Sequence, residues 1–173
     1  MKENIHILTA LLLFLLLKVG YTQTSVDDLL FLLYPTDVLV SIFTNSSSFY
    51  IHGSGYFHSV HNILIEKSCG GFNFLILYFI VSYLTCLQHF KTPAIRWVML
   101  PICWIGSYLI TICVNTSRII TAISINKSKN NFLNGSWMHH LQGTFIYLFF
   151  LLVSYLILKY LLNKYALKNE KFA

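Results

Sequence analysis

Apolar and polar residues fall in long blocks along this chain. The first apolar run, Ile5 to Tyr21, follows Met1-Lys2-Glu3-Asn4 and fits either a signal-peptide core or a first transmembrane helix. Its interruption by Lys18, the lack of a small-x-small cleavage site and the further apolar runs favour the anchor. Leu29 to Thr44 is apolar but short, and carries Pro35 and Asp37. Proline removes a backbone donor and a carboxylate is costly in hydrocarbon, so this segment reads as kinked, re-entrant or spanning. Asn45 to Ser68 is polar, with two short runs, Tyr56 to Val60 and Ile63 to Ile65, separated by His61-Asn62. That pattern predicts a small loop or hairpin over the membrane, just before Cys69. Phe72 to Phe90 has about the ~20 residues a spanning helix needs. Lys91 to Arg96 is a tight loop with Pro93, and Trp97 to Val114 continues past Arg118 toward Ile125. Asn126 to Met138 is an aqueous loop rich in Asn, Lys and Ser, and Leu141 to Leu162 is the last apolar run. The expected fold is all-α: a polytopic membrane helical bundle forming one integral domain over 1–173. Its spans lie at about 5–21, 72–90, 97–125 and 139–162. No internal repeat is present.

Composition agrees. The chain is 56% hydrophobic and 10% charged, where globular proteins carry about 25% charged residues. With a mean hydropathy of +0.65, this excludes a disordered chain and an ordinary soluble enzyme. A net charge of +6 would suggest nucleic acid in a soluble domain. Here the charges sit beside apolar spans and read as topology signals, so no nucleic-acid partner is expected. Lys91 and Arg96, with Lys164, Lys168 and Lys171 in the tail, place that loop and the C-terminus in the cytoplasm. Asn45 to Ser68 and Asn126 to Met138 then face outward, with Lys127 and Lys129 opposing. A re-entrant 29–44 gives four spans with Lys2 inside, and a crossing one gives five. The Asn, Lys, Ile and Phe bias suggests an A·T-rich bacterial genome, hence a bacterial cytoplasmic membrane.

Of the four cysteines, Cys86, Cys103 and Cys113 lie inside apolar runs, and no pair has C-x-x-C spacing. Neither a redox centre nor a thiolate zinc site is indicated, and those three read as small hydrophobic side chains. Cys69 differs, sitting at a polar-to-apolar junction in Ser68-Cys69-Gly70-Gly71. The Gly70 and Gly71 N–H groups are expected to lie free at a helix start, where a thiolate nucleophile is favoured. On the predicted topology Cys69, Arg118 and His139 fall at one outer rim, on three different spans. Each has an ordinary reading: a small residue at a span start, an arginine snorkelling to headgroups, a solvated interfacial histidine. Asn115 lies one turn before Arg118 and shares its polar face. Adjacent helical residues diverge by about 100°, so only one of His139 and His140 faces the site. His139 stands four residues before Gly143, where a small residue permits close helix contact. His52, His58 and His61 lack ligand spacing, and no carboxylate is expected to partner them. No metal is therefore expected. A two-histidine haem site fails because His89 and His139 fall at opposite edges, so no cofactor is expected either. Gly53-Ser54-Gly55 is too short to nominate a serine nucleophile.

Ser-Cys-Gly-Gly before one span, Asn115-x-x-Arg118-Ile119 ending another and His139-x-x-x-Gly143 opening the last together resemble the exosortase/archaeosortase family of membrane cysteine transpeptidases. Chain length, Leu33-Tyr34-Pro35-Thr36, Gly55-Tyr56 and Ile63-x-Ile65-x-x-Ser68-Cys69-Gly70-Gly71-x-Asn73-Phe74 are most similar to the short exosortase K type. The resemblance covers roughly Leu29 to Tyr155. The chain departs from the family in having fewer spans, as a reduced core that would pair with itself or another subunit. It also departs in Gly70-Gly71, where Cys-Ser-Gly is more usual.

The resemblance implies a protease or transpeptidase acting on exported proteins that end in a recognition motif, a transmembrane helix and a basic cluster. Cys69 would attack the scissile carbonyl to give a thioester, with His139 as general acid/base and Arg118 stabilising the oxyanion. Asn115, His140, Gly70 and Gly71 are supporting or alternative candidates, and the roles of Arg118 and His139 can be exchanged. Transfer to a cell-surface acceptor and plain hydrolysis differ only in the nucleophile that resolves the thioester. The competing class is a non-enzymatic membrane protein, a transporter subunit or assembly scaffold, with Arg118 and His139 binding an anion or lipid headgroup.

Overall fold

The computed structural model describes the backbone of residues 2–90, 92–127 and 136–170, with side chains for 5–90, 92–125 and 141–165. Among the described residues there are five α-helices: α1 (Lys2–Gln23), α2 (Leu30–Thr44), α3 (Phe72–His89), α4 (Pro93–Lys127) and α5 (Ser136–Glu170). Among the described residues four stretches are long and apolar enough to cross a membrane: Ile5–Gln23, Lys67–His89, Pro93–Ile125 and Leu141–Tyr165. The 15-residue α2 is not among them.

The all-α expectation needs correcting. Between α2 and α3 lies a three-stranded antiparallel sheet in the order β1-β2-β3, made of Phe49–Ile51, Gly55–His58 and Ile63–Ile65. The expected hairpin is β2–β3, and its turn carries Asn62 at φ 51. β1 was invisible to pattern because all three of its residues are exposed, so no apolar alternation marks it. Gly55 is fixed by β3, since a Cβ there would collide with the Ile65 carbonyl.

Two carboxylates fasten the sheet, and each binds a histidine that was expected to have no acidic partner. Outside, Asp27 accepts from the Tyr50 hydroxyl and the Gly53 N–H and lies 2.8 Å from His52 Nδ1. Inside, Asp37, 4% exposed, lies 2.8 Å from Nε2 of the fully buried His58. The Tyr50 hydrogen bond holds Asp27 below the usual carboxylate range and pushes Tyr50 up to about 12. The clasp therefore loses its contribution as pH falls through the lowered Asp27 value or rises through that of Tyr50. In Asp27→Asn, Tyr50 is expected to titrate nearer the ordinary tyrosine value of about 10, read by NMR of ring-labelled tyrosine.

Helix α2 lies beneath this sheet. Pro35 lacks the N–H that would bond the Phe31 carbonyl, and the Tyr108 hydroxyl of α4 donates to that carbonyl instead at 2.8 Å. Asp37, which looked costly in hydrocarbon, is satisfied by His58 and by Ser48 Oγ at 2.9 Å. Leu29, Leu32 and Leu33 pack with Ile65 of β3, Leu75 and Ile76 of α3, and Ile119 and Ile123 of α4. Central α3 buries Phe74, Leu75, Phe79 and Tyr83 and contacts α1, α4 and α5. Lys18 reaches from α1 to Asn73 Oδ1 at 2.6 Å, which accounts for a cation in that apolar run. Arg96 has a structural partner: its Nε donates at 2.6 Å to the Phe90 carbonyl at the end of α3.

Candidate active site

The segment from β3 to α3 sets Cys69 at the sheet end of the bundle. Lys67–Cys69 forms a 3-10 turn in which the Cys69 N–H donates to the Glu66 carbonyl at 2.9 Å. The Gly70 N–H donates to the Lys67 carbonyl at 3.1 Å, so this donor is spent in the turn, contrary to the expectation that it lies free. Gly71 starts α3 in the left-handed region, φ 72, where a side chain is strained. A Cβ on Gly71 would also lie 3.2 Å from both Asn115 Cγ and Thr111 Cγ2. Glycine there lets the start of α3 press against α4.

That close approach carries the site. Asn115 is fully buried, and its Nδ2 donates to the Cys69 carbonyl. Its Oδ1 accepts from the Tyr147 hydroxyl of α5 at 2.9 Å, and the same hydroxyl accepts from Arg118 Nη1 at 2.9 Å. The guanidinium also lies over the Tyr147 ring, 5.1 Å from its centroid. Gly143, one turn before Tyr147, presents bare backbone to Arg118: a Cβ there would lie 2.8 Å from Nε. The close contact expected at Gly143 is therefore with Arg118. The turn below is sealed by Phe74, Tyr78 and Val114 packed against Tyr147, Phe150 and Leu151.

Of the candidates read from sequence, Cys69 and Gly71 meet Asn115, and Arg118 joins them through the Tyr147 hydroxyl. His139 and His140 lie in the first turn of α5, and their side chains are outside the described residues. Cys69 is half-buried, with Ser68 Oγ 3.8 Å from Sγ. The Tyr21 hydroxyl donates to the Lys67 carbonyl of the same turn at 3.2 Å. The other cysteines are elsewhere: Cys86 and Cys103 are buried with sulfurs 3.7 Å apart, and Cys113 is exposed. Among the described residues no cluster of three His, Cys, Asp or Glu side chains could hold a metal ion. Tyr147 was missed, although a signal existed. His139, Gly143 and Tyr147 are spaced by four and form one stripe of a helix.

Below this layer, α3, α4 and α5 border an apolar cavity of about 1040 Å³. Its lining follows α4 from Ile95 to Val114, a rise of roughly 28 Å, close to the hydrocarbon thickness of a bilayer. Gly106 faces it with nothing within 4 Å of where a Cβ would stand.

No protein-family model matches the chain, and neither does any curated protein or solved structure.

Proposed function

We propose that the chain is a membrane-embedded cysteine transpeptidase of the exosortase/archaeosortase type. Its substrates would be exported proteins ending in a recognition motif, an apolar helix and a basic tail. The observation that carries this reading is the chain of hydrogen bonds from Arg118 through Tyr147 and Asn115 to the Cys69 carbonyl, which joins three elements at one end of the bundle. The apolar cavity bordered by α3, α4 and α5 supports it, as a surface of spanning length on which a substrate helix would lie. That end faces the extracytoplasmic side of a bacterial inner membrane.

In the proposed reaction the Cys69 thiolate adds to the scissile carbonyl carbon, forming a C–S bond. Arg118 stabilises the developing oxyanion. The C–N bond then breaks, His139 gives its proton to the leaving amine, and the tail departs on its helix. An acceptor amine or water, passing its proton to His139, attacks the thioester carbonyl carbon, the C–S bond breaks, and the thiolate is returned beside the protonated imidazole.

The test uses purified full-length protein in lipid vesicles. The substrates are reporter domains fused to each C-terminal tail of this architecture encoded in the source genome. Tail-dependent cleavage is expected, and the product mass tells transfer from hydrolysis. No cleavage of any such fusion, or cleavage undiminished in Cys69→Ala, would overturn the reading. In the same assay Gly143→Ala is expected to lower turnover by ~10²-fold, because a side chain there displaces the guanidinium by about an ångström. Its melting temperature should be nearly unchanged, since the atom that yields is the mobile end of Arg118.

A further inference from the structure

We infer that Tyr147 is a positioning residue that sets the direction of a hydrogen-bond relay from Arg118 to the backbone of Cys69. Its catalytic meaning rests on the reading of Cys69 as nucleophile. The relay itself follows from donor and acceptor chemistry.

A guanidinium only donates. The Tyr147 oxygen, 2.9 Å from Arg118 Nη1, must therefore accept, and its single hydrogen goes to Asn115 Oδ1, also 2.9 Å away. With its oxygen occupied, the Asn115 amide turns its nitrogen the other way, toward the Cys69 carbonyl. Every bond in the chain thus points from the cation to the nucleophile's own peptide group, and successive bonds polarise one another. Without the phenol hydrogen the Cys69 carbonyl alone holds this orientation, and the buried Asn115 oxygen loses the donor that reinforces it. Flipped, the amide would set its oxygen against the Cys69 carbonyl, two acceptors face to face.

The hydroxyl is separable from the ring. The ring packs on Phe74 with centroids 5.2 Å apart and belongs to the apolar seal, so Tyr147→Phe removes the relay and keeps the packing. Gly143 leaves room for the guanidinium to reach the phenol.

The test is the rate at which N-ethylmaleimide alkylates Cys69 in the full-length protein in phosphatidylcholine vesicles, read peptide by peptide by mass spectrometry. Glutathione added to the same vesicle suspension is the internal reference for reagent activity. Tyr147→Phe and Asn115→Ala are each expected to speed Cys69 alkylation at least fivefold by releasing its turn. The double variant should be no faster than either single one. Arg118→Lys, which still only donates, should stay within twofold of wild type. Arg118→Glu, which accepts and draws the phenol hydrogen away from Asn115, should reproduce Tyr147→Phe. A merely structural tyrosine would not distinguish those two. An unchanged rate in Tyr147→Phe, additive effects of Tyr147→Phe and Asn115→Ala, or equal rates for Arg118→Lys and Arg118→Glu would overturn the relay. Alkylation needs no substrate, so this outcome is independent of the cleavage assay: the relay can hold where cleavage fails, and the reverse.

Discussion

Cys69→Ala is expected to abolish cleavage of tail-bearing fusions, by at least ~10³-fold, while leaving a folded protein. The expectation follows from what surrounds each thiol. Cys69 is half-buried at the sheet end, in a turn whose carbonyl is held by Asn115 and which lies near Tyr147. Cys86 and Cys103 face one another in the apolar bundle and line its cavity, whose lining includes neither Asn115 nor Arg118. Cys113 is exposed on the helix carrying Asn115, but two residues before it and so on a different face. Cys86→Ala, Cys103→Ala and Cys113→Ala should therefore retain cleavage, and Cys69→Ser should not restore it. Arg118→Gln removes a charged donor and is expected to cost ~10²–10³ in rate, typical of one oxyanion-stabilising group. Turnover of each fusion by each variant, with circular dichroism to confirm the helices, checks the set. Wild-type turnover in Cys69→Ala together with loss in Arg118→Gln would move the chemistry to a different nucleophile.

How much could be read from the sequence depended on the physical origin of each feature. The long helices were legible because bilayer thickness sets a length that apolar runs display openly, as Phe72 to Phe90 and Leu141 to Leu162 do. The pairing of Asn115 with Arg118 was legible because helical spacing fixes shared faces within one element. What the sequence hid were contacts between elements. Tyr147 sits in an apolar run among aromatic neighbours, and nothing local separates it from a packing residue. Only the approach of α5 to α4 gives its hydroxyl two partners. The Gly70 N–H was misjudged because the residues before α3 form a 3-10 turn that uses it. β1 escaped because an exposed three-residue strand has no buried face to impose alternation. Asp37 and His58 were misread because a lone charge in an apolar run and a lone histidine in a loop each look unpartnered until a sheet is laid on a helix.

That last pair yields the largest expected effect on stability. Asp37 receives His58 Nε2 at 2.8 Å and the Ser48 hydroxyl at 2.9 Å, and the other His58 nitrogen lies 3.0 Å from Ser46 Oγ. Ser46 in turn lies 2.7 Å from Thr44 Oγ1, which donates back to the Val40 carbonyl, so the chain closes on the end of α2. With His58 fully buried and Asp37 at 4% exposure, water cannot replace a lost partner. Asp37→Ala strands the imidazole and the Ser48 hydroxyl and is expected to cost ~3–5 kcal/mol, as removal of one member of a buried pair does. His58→Leu strands the carboxylate and should cost a similar amount. The double variant Asp37→Leu, His58→Leu strands neither group, and should be more stable than either single variant despite losing more polar contacts. Thermal unfolding of the four proteins in detergent micelles forms the cycle. If the double variant were the least stable of the four, the pair would be contributing more by attraction than it costs in desolvation. The fastening of sheet to helix would then be electrostatic in origin, and hydrogen-bond satisfaction would be secondary to it.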